Sequence, residues 1–382
     1  MRIAVYHNIL WPRYAGVVLS RLYALCKSRG VDVSIIQIAE TEGQRSALGA
    51  VDLAYHDYPF RLLFRGTYDD VPLRRLIPAI TKDLLGRRTD LVVLPGYNRI
   101  EYWVMLALCV LFGRKCAVFC DSTKYDNPKV FWKEWAKRLF FSRCCGFFVY
   151  GTRGKEYLMS YGVEPQKITS GCQAAALPPG YDPAAVLAQY ESQRAGVLHA
   201  PRFIYVGRLA AEKGLIDLLD AFKVVHARTP AATMLIVGAG PLLDALLRRV
   251  GELGLEGAVT LGGPKSIDEI VPLFFMSSAL VLPSRSEPWG MVVNEALSYG
   301  CPVVASLNCG CVPELVLDGV TGYSYETGNV EALAGAMTAA MHLSEDRIAV
   351  VKECLKVMSA FTPERAATQI LNGCTRIVEV GP

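Results

Sequence analysis

Short apolar runs and amphipathic stretches alternate along this chain in two separate trains. In the first half, Ile3 to Tyr6, Val31 to Ile38, Leu91 to Leu94, Cys116 to Cys120 and Phe147 to Tyr150 are predicted strands. A helix is predicted from about Val17 to Ser28, closed by Gly30, and another, strongly apolar, from behind Pro95-Gly96-Tyr97 to Phe112. Lys155 to Tyr161 and Ile168 continue the alternation. The pattern lapses between Ala174 and Ala200, where Pro178-Pro179-Gly180-Tyr181-Asp182-Pro183 is dense in turn formers. It resumes at Arg202, with predicted strands near Phe203, Thr233, Val259, Ala279 and Pro302. Predicted helices from about Leu215, Leu242, Ile267, Met291 and Val330 separate them. Strand then helix, repeated, predicts an α/β fold with parallel sheets covered on both faces. Two Rossmann-like domains facing each other across a cleft are expected, with ligands at the carboxyl ends of the strands. The boundaries predicted are 1–175 for the first domain, 176–200 for a linker and 201–360 for the second domain.

A length of 382 residues fits two cores of ordinary size. The net charge of +4 lacks the asymmetry of a protein that wraps nucleic acid, and no recognition motif for nucleic acid is present. An apolar content of 52% accommodates large buried sheets or attachment to a membrane surface. The longest apolar run, Trp103 to Phe112, is well short of the roughly 18 residues of a spanning helix. The first residues enter a strand without a secretory signal pattern, so a cytoplasmic location is expected, with peripheral contact at the inner membrane face open. Twelve cysteines show no metal-finger spacing and lie mostly in apolar surroundings, which predicts reduced, buried thiols. Cys309-Gly310-Cys311 is the one spacing that stands out.

Chemistry concentrates in the second half. Glu287 and Glu295 flank the break Pro288-Trp289-Gly290, placing the first on a loop and the second in the opening turns of a helix. A helix N-terminus offers unpaired amides and a positive dipole end to a phosphate. Carboxylates nearby accept hydrogen bonds from sugar hydroxyls. Upstream, Gly207-Arg208-Leu209-Ala210-Ala211-Glu212-Lys213-Gly214 follows a strand and precedes a helix. There Gly207 lets a ligand approach the backbone, and Arg208 and Lys213 supply cations for a diphosphate. An ordinary solvated turn is the plain alternative for this segment, and a helix-surface carboxylate that complements the dipole is the alternative for Glu295.

Taken in order, Gly207-Arg208-Leu209, Glu212-Lys213-Gly214, Gly238-Ala239-Gly240-Pro241, Pro283-Ser284 and Glu287-Pro288-Trp289-Gly290 build a concerted pattern. It continues through Asn294-Glu295-Ala296, Gly300-Cys301-Pro302-Val303-Val304-Ala305, Pro313-Glu314 and Gly319-Val320-Thr321-Gly322. The series resembles the retaining glycosyltransferases of family four, of GT-B type, over nearly all of the second half. The resemblance implies transfer of a sugar from a nucleotide diphosphate donor, with UDP and GDP sugars foremost, without a cofactor or metal. Arg208 and Lys213 would neutralise the diphosphate and Glu287 would hold the donor sugar. The amides of Gly290, Met291 and Val292 would meet sugar and phosphate, and Glu295 would take the ribose. It also implies that residues 361–382 form a helix returning to the first domain.

The first half departs from the family pattern. Where a glycine-rich loop is usual, Trp11-Pro12-Arg13-Tyr14-Ala15-Gly16 offers only Gly16. Where many relatives carry a histidine, this chain has Asp121-Ser122-Thr123-Lys124, as a subset of related enzymes does. Asp121 could hold a sugar hydroxyl, orient the acceptor or act as a base, or simply cap the next turn. His7, Tyr97 and Asn98 are further candidates for the acceptor site. Beyond Asn127-Pro128, a predicted helix repeats Lys129, Lys133 and Lys137, with Phe131, Trp135 and Leu139 in an apolar stripe joined by Trp132, Phe140 and Phe141. Such a helix suits an anionic membrane carrying a lipid-linked acceptor, and docking of the stripe on its own sheet is the plainer reading. The expected activity is hexosyl transfer to a glycan or lipid-linked glycan in bacterial surface-polysaccharide biosynthesis, retention following a front-face substitution. A phosphorylase, a nucleotide-sugar epimerase and a noncatalytic nucleotide-sugar sensor are the alternatives.

Overall fold

The computed structural model of the chain describes residues 1–43, 50–126, 130–192 and 200–379. It divides into two compact units, one of residues 1–124, 128–176 and 361–382, the other of 125–127 and 177–360.

The first unit runs β1 (Arg2–Ile9), α1 (Arg13–Ser28), β2 (Asp32–Ala39), β3 (Phe60–Leu62), α2 (Leu73–Leu85), β4 (Leu91–Leu94), α3 (Ile100–Leu111), β5 (Lys115–Cys120), α4 (Phe131–Ser142), β6 (Gly146–Val149), α5 (Thr152–Ser160) and β7 (Ile168–Thr169). All seven strands are parallel, in the order β3-β2-β1-β4-β5-β6-β7. Because successive side chains point to opposite faces of a strand, each strand feeds two cores. Tyr6, Ile36, Val92, Val118 and Phe147 pack with Ile80, Met105 and Phe140 of the helices on one face. Ile3, Val5, Ile35, Val93 and Phe148 meet Leu19, Leu22 and Cys26 of α1 on the other.

The second unit runs α6 (Pro183–Ser192), β8 (Arg202–Val206), α7 (Leu215–Arg228), β9 (Thr233–Val237), α8 (Leu243–Leu253), β10 (Val259–Gly263), α9 (Ile267–Phe275), β11 (Ala279–Leu282), α10 (Met291–Ser298), β12 (Val303–Ser306), α11 (Val312–Leu315), β13 (Gly322–Tyr325), α12 (Val330–Leu343) and α13 (Arg347–Met358). Its six parallel strands are ordered β10-β9-β8-β11-β12-β13. The final helix, α14 (Pro363–Glu379), packs on α1 and the sheet of the first unit, where Ile370, Leu371 and Cys374 are buried. Lys115 donates to the carbonyls of Ile377 and Val378 at 2.9 Å each, satisfying acceptors that a helix end leaves open. A side chain at Gly146 would collide with Ile377, so glycine there admits the helix to the sheet.

The structure differs from the sequence pattern in three places. Helix α1 begins at Arg13, immediately behind Pro12, so Arg13 to Gly16 are helical rather than loop. The turn-rich stretch holds helix α6, whose Tyr190 hydroxyl donates to the Tyr299 carbonyl at 2.8 Å and fixes the helix to the second unit. Elements β3, α11 and β13 escape the pattern because they are short and α2 because Pro78 interrupts it, while α13 is a further helix that the pattern did not assign. None of the twelve cysteines forms a disulfide, and all but Cys145 are buried. Among the described residues no helix is long and apolar enough to cross a membrane.

The packing of α14 makes a stability prediction. Leu371→Ala, deleting a fully buried side chain, should destabilise the first unit by about 2–4 kcal/mol. Arg21→Ala removes only the exposed 2.8 Å pair with Glu364 and should shift stability by less than about 1 kcal/mol. Urea denaturation of both variants checks the ranking, which the reverse order would refute.

Candidate functional site

Strand order reverses between β8 and β11, which are adjacent in the second sheet. The loops that leave their carboxyl ends, 207–214 and 283–290, therefore run side by side at a topological switch point. Backbone bonds fasten them: the Arg285 amide donates to the Glu212 carbonyl at 2.8 Å. Gly214 has φ +66°, and a side chain there would strike the Pro283 carbonyl, so only glycine permits this approach. The Tyr205 hydroxyl donates to the Arg208 carbonyl at 2.7 Å, and the Leu209 amide donates to Ala239 at 2.9 Å, bracing the loop from below.

This arrangement places Lys213 Nζ 2.6 Å from Glu287 Oε2, with side chains only 12% and 15% exposed. An ammonium carries three donors, so serving Glu287 leaves others for a ligand. Arg208 is exposed and pairs with Glu212 at 2.9 Å. Arg285 pairs with Asp217 through both carboxylate oxygens, at 2.9 Å each, and holds the second loop to α7.

Gly290, at φ +99°, caps α10, and the Val293 amide closes the first turn on the Gly290 carbonyl at 2.9 Å. The amides of residues 290–292 thus head the helix, and half-buried Glu295 stands one turn further on. Trp289 is buried, its indole N–H donating to Asn294 Oδ1 at 2.7 Å. Beneath, the Gly310 amide donates to the Glu287 carbonyl at 2.9 Å and the Cys311 amide to Trp289 at 3.1 Å. The Cys-Gly-Cys spacing is therefore the floor of the loop: a side chain at Gly310 would strike Pro288. Burial, with Glu287 next, pushes the Cys309 thiol up to about 12, which keeps it a neutral packing group.

In the first unit a cavity of about 290 Å³ opens at the carboxyl ends of β1, β4, β5 and β6. His7, Asn8, Asn98, Asp121, Tyr150 and Gln173 belong to its polar lining, with Glu42 as a second carboxylate. The Tyr102 hydroxyl holds Asn8 through its side-chain carbonyl, and His7 Nδ1 lies 2.8 Å from the Ile9 carbonyl. The buried Oε1 of Gln173 has no hydrogen-bond partner among the described residues.

Two candidates lie elsewhere. Tyr97 does not line the cavity: its hydroxyl bonds Ser122 at 2.7 Å and Tyr157 at 2.8 Å, so it props the turn that carries Asp121. Gly16 is buried inside α1 and outside the cavity lining, where a side chain would meet the Tyr55 carbonyl and the His56 ring. Its smallness admits Tyr55 and His56 to α1, because the chain becomes helical as soon as it passes Pro12.

Residues 191–354 match the model of the family described as glycosyl transferases group 1. The second unit is thus similar, over most of its length, to the group 1 glycosyltransferases. Glycogen synthase of Mycobacterium tuberculosis is 35% identical to this chain over 138 residues, 36% of this chain and 33% of that protein. The GDP-mannose-dependent alpha-(1-6)-phosphatidylinositol monomannoside mannosyltransferase of the same organism is 30% identical over 185 residues, 45% of this chain and 47% of that protein. The chain thus spans a third to about half the length of these curated relatives. Among solved structures, Anabaena HepE in complex with UDP superposes with a TM-score of 0.73 at 18% identity, over 98% of this chain and 100% of that one. Both units therefore share the parallel-sheet, Rossmann-like fold of GT-B glycosyltransferases.

Within the second unit, the residues to which sequence reading gave no role are those that brace the two loops: Tyr205, Asp217, Arg285 and Asn294. The Asn294-Glu295 dipeptide and the Cys-Gly-Cys spacing were visible signals whose purpose only packing reveals. In the first unit, Asn8, Tyr150 and Gln173 carried no motif.

His56, against Gly16, gives a pH prediction. Burial, then His7, hold its pKa down at about 4, against the opposing pull of Asp52. Between about pH 6.5 and 4 the unfolded chain binds a proton that the folded state refuses, so stability falls as pH drops through this window. Stability at pH 5 should be lower than at pH 7 by about 2 kcal/mol from this group. His56→Gln should flatten that slope in urea titrations, and an unchanged slope would refute the assignment.

Proposed function

We propose that the protein is a retaining glycosyltransferase that moves a hexose from a nucleotide diphosphate sugar to a hydroxyl of a glycan or lipid-linked glycan, in surface-polysaccharide biosynthesis. One observation carries the reading: the Lys213–Glu287 pair stands at the switch point of a group 1 glycosyltransferase domain, beside the amides that head α10. Lys213 and Arg208 neutralise the diphosphate as it departs, aided by the amides of Gly290, Met291 and Val292. Glu287, already bonded to Lys213, accepts hydroxyls of the transferred sugar, and Glu295 accepts those of the ribose. Side-chain cations and amides supply the countercharge at the leaving group, so the transfer runs without a metal. Retention follows a front-face path in which the departing phosphate takes the acceptor proton.

The acceptor occupies the cavity of the first unit. Asp121 and the buried carbonyl of Gln173 accept from its hydroxyls, while Asn98 and His7 orient it. UDP and GDP are the leading donor nucleotides, supported by a solved relative that binds UDP and a relative named for GDP-mannose. The enzyme works in the cytoplasm, peripheral to the inner membrane face, where a lipid-linked acceptor is presented.

Incubation with UDP and GDP sugars should release nucleoside diphosphate, by slow hydrolysis alone and faster with acceptor. Lys213→Ala and Glu287→Gln should each lower turnover by about 10²–10³-fold. Glu295→Gln should chiefly raise KM for the donor, having lost ground-state binding. Full activity in all three variants, phosphate-dependent release of sugar phosphate, an isomerised donor, or binding without turnover would each overturn the reading.

A further inference from the structure

Helix α4 exposes a face that no other part of the chain covers among the described residues. Phe131 is 90% exposed, Trp132 65% and Trp135 63%, with Leu139 also open to solvent. At 3.6 residues per turn these four fall within about 100° of arc, so they form one strip rather than scattered exposures. The stripe expected to dock on its own sheet does so only through Phe140 and Phe141, which are buried on the opposite side. Asn127, Pro128 and Lys129 lie outside the described residues.

Charge decides what the strip meets. The one acidic residue of α4, Glu134, is engaged on the inner side by Lys137 at 2.9 Å and by the Tyr161 hydroxyl. The exposed charges left on the helix, Lys133 and Arg138, are both basic, and Arg143 follows at its C-cap. Lys133 Nζ lies 5.5 Å from the centre of the Trp132 ring. Aromatic side chains amid cations, without a countering acid, match an anionic lipid interface, where rings sit at headgroup depth and cations meet phosphates.

We infer that α4 is a membrane-docking helix, inserting Phe131, Trp132 and Trp135 into the headgroup region of an anionic bilayer. The helix follows the turn that carries Asp121, so docking holds the cavity of the first unit at the lipid surface. The inference deepens the peripheral-membrane part of the proposed function and is independent of the transfer chemistry.

The full chain is sedimented with phosphatidylcholine vesicles that contain or lack phosphatidylglycerol, without donor or acceptor. Binding should require phosphatidylglycerol and weaken as salt rises. Lys133→Gln with Arg138→Gln should cut affinity about fivefold per charge removed, and Trp132→Ser with Trp135→Ser should cut it by about tenfold or more. Thermal melts that match the wild type confirm that both double variants fold. Equal binding by the variants, equal binding to neutral vesicles, or no binding would overturn the inference. So would a dimer in sedimentation velocity that the tryptophan variant abolishes, since the strip would then face a second copy. Vesicle binding lost with transfer to a soluble acceptor intact separates this inference from the catalytic reading.

Discussion

The adjacency of β8 and β11 is the constraint on which the Lys213–Glu287 site depends. Parallel pairing forces each strand's exit to the same edge, so loops that carry Lys213 and Glu287, 74 positions apart, leave the sheet together. Once together they exclude water from Lys213 and Glu287, and each charge then requires the other, since an unpaired ion in such a place is costly. The glycines at 214 and 310 follow from the same constraint: each stands where another backbone passes too close for any side chain.

The bracing extends downward in layers. Arg285 ties its loop to α7 through Asp217, Trp289 locks onto Asn294, and the Cys309-Gly310-Cys311 segment runs underneath. The Lys213–Glu287 pair thereby sits on loops that other side chains brace. Pre-organisation of this kind lets cations and amides act on developing charge without rearranging.

The first unit solves a different problem. Its cavity is lined by amides, rings and two carboxylates, Glu42 and Asp121, and its order comes from hydroxyl chains such as Tyr97–Ser122 and Tyr102–Asn8. Its outer helix α4 turns aromatic and basic side chains outward, a pattern at odds with a purely structural role.

Much of this was legible in the residues themselves. Alternating runs such as Leu91–Leu94 and Thr233–Val237 are apolar because both faces of a parallel sheet are buried, so their strands announce themselves. Arg208, Lys213, Glu287 and Glu295 stand out because charged residues on loops beside a helix start form a local pattern, and the structure pairs two of them, Lys213 and Glu287. By contrast, Gly16 and Phe131 carry the same residue types whether they face a ligand, a neighbour or solvent, and Tyr97 looks like a lining residue until its hydroxyl is seen to point at Ser122. The sequence by itself determined the period of each element and the charges available to the site. Only the tertiary structure decided which side chains meet, because Lys213 finds Glu287, and Gly16 finds His56, through strand order and helix packing that no local pattern encodes.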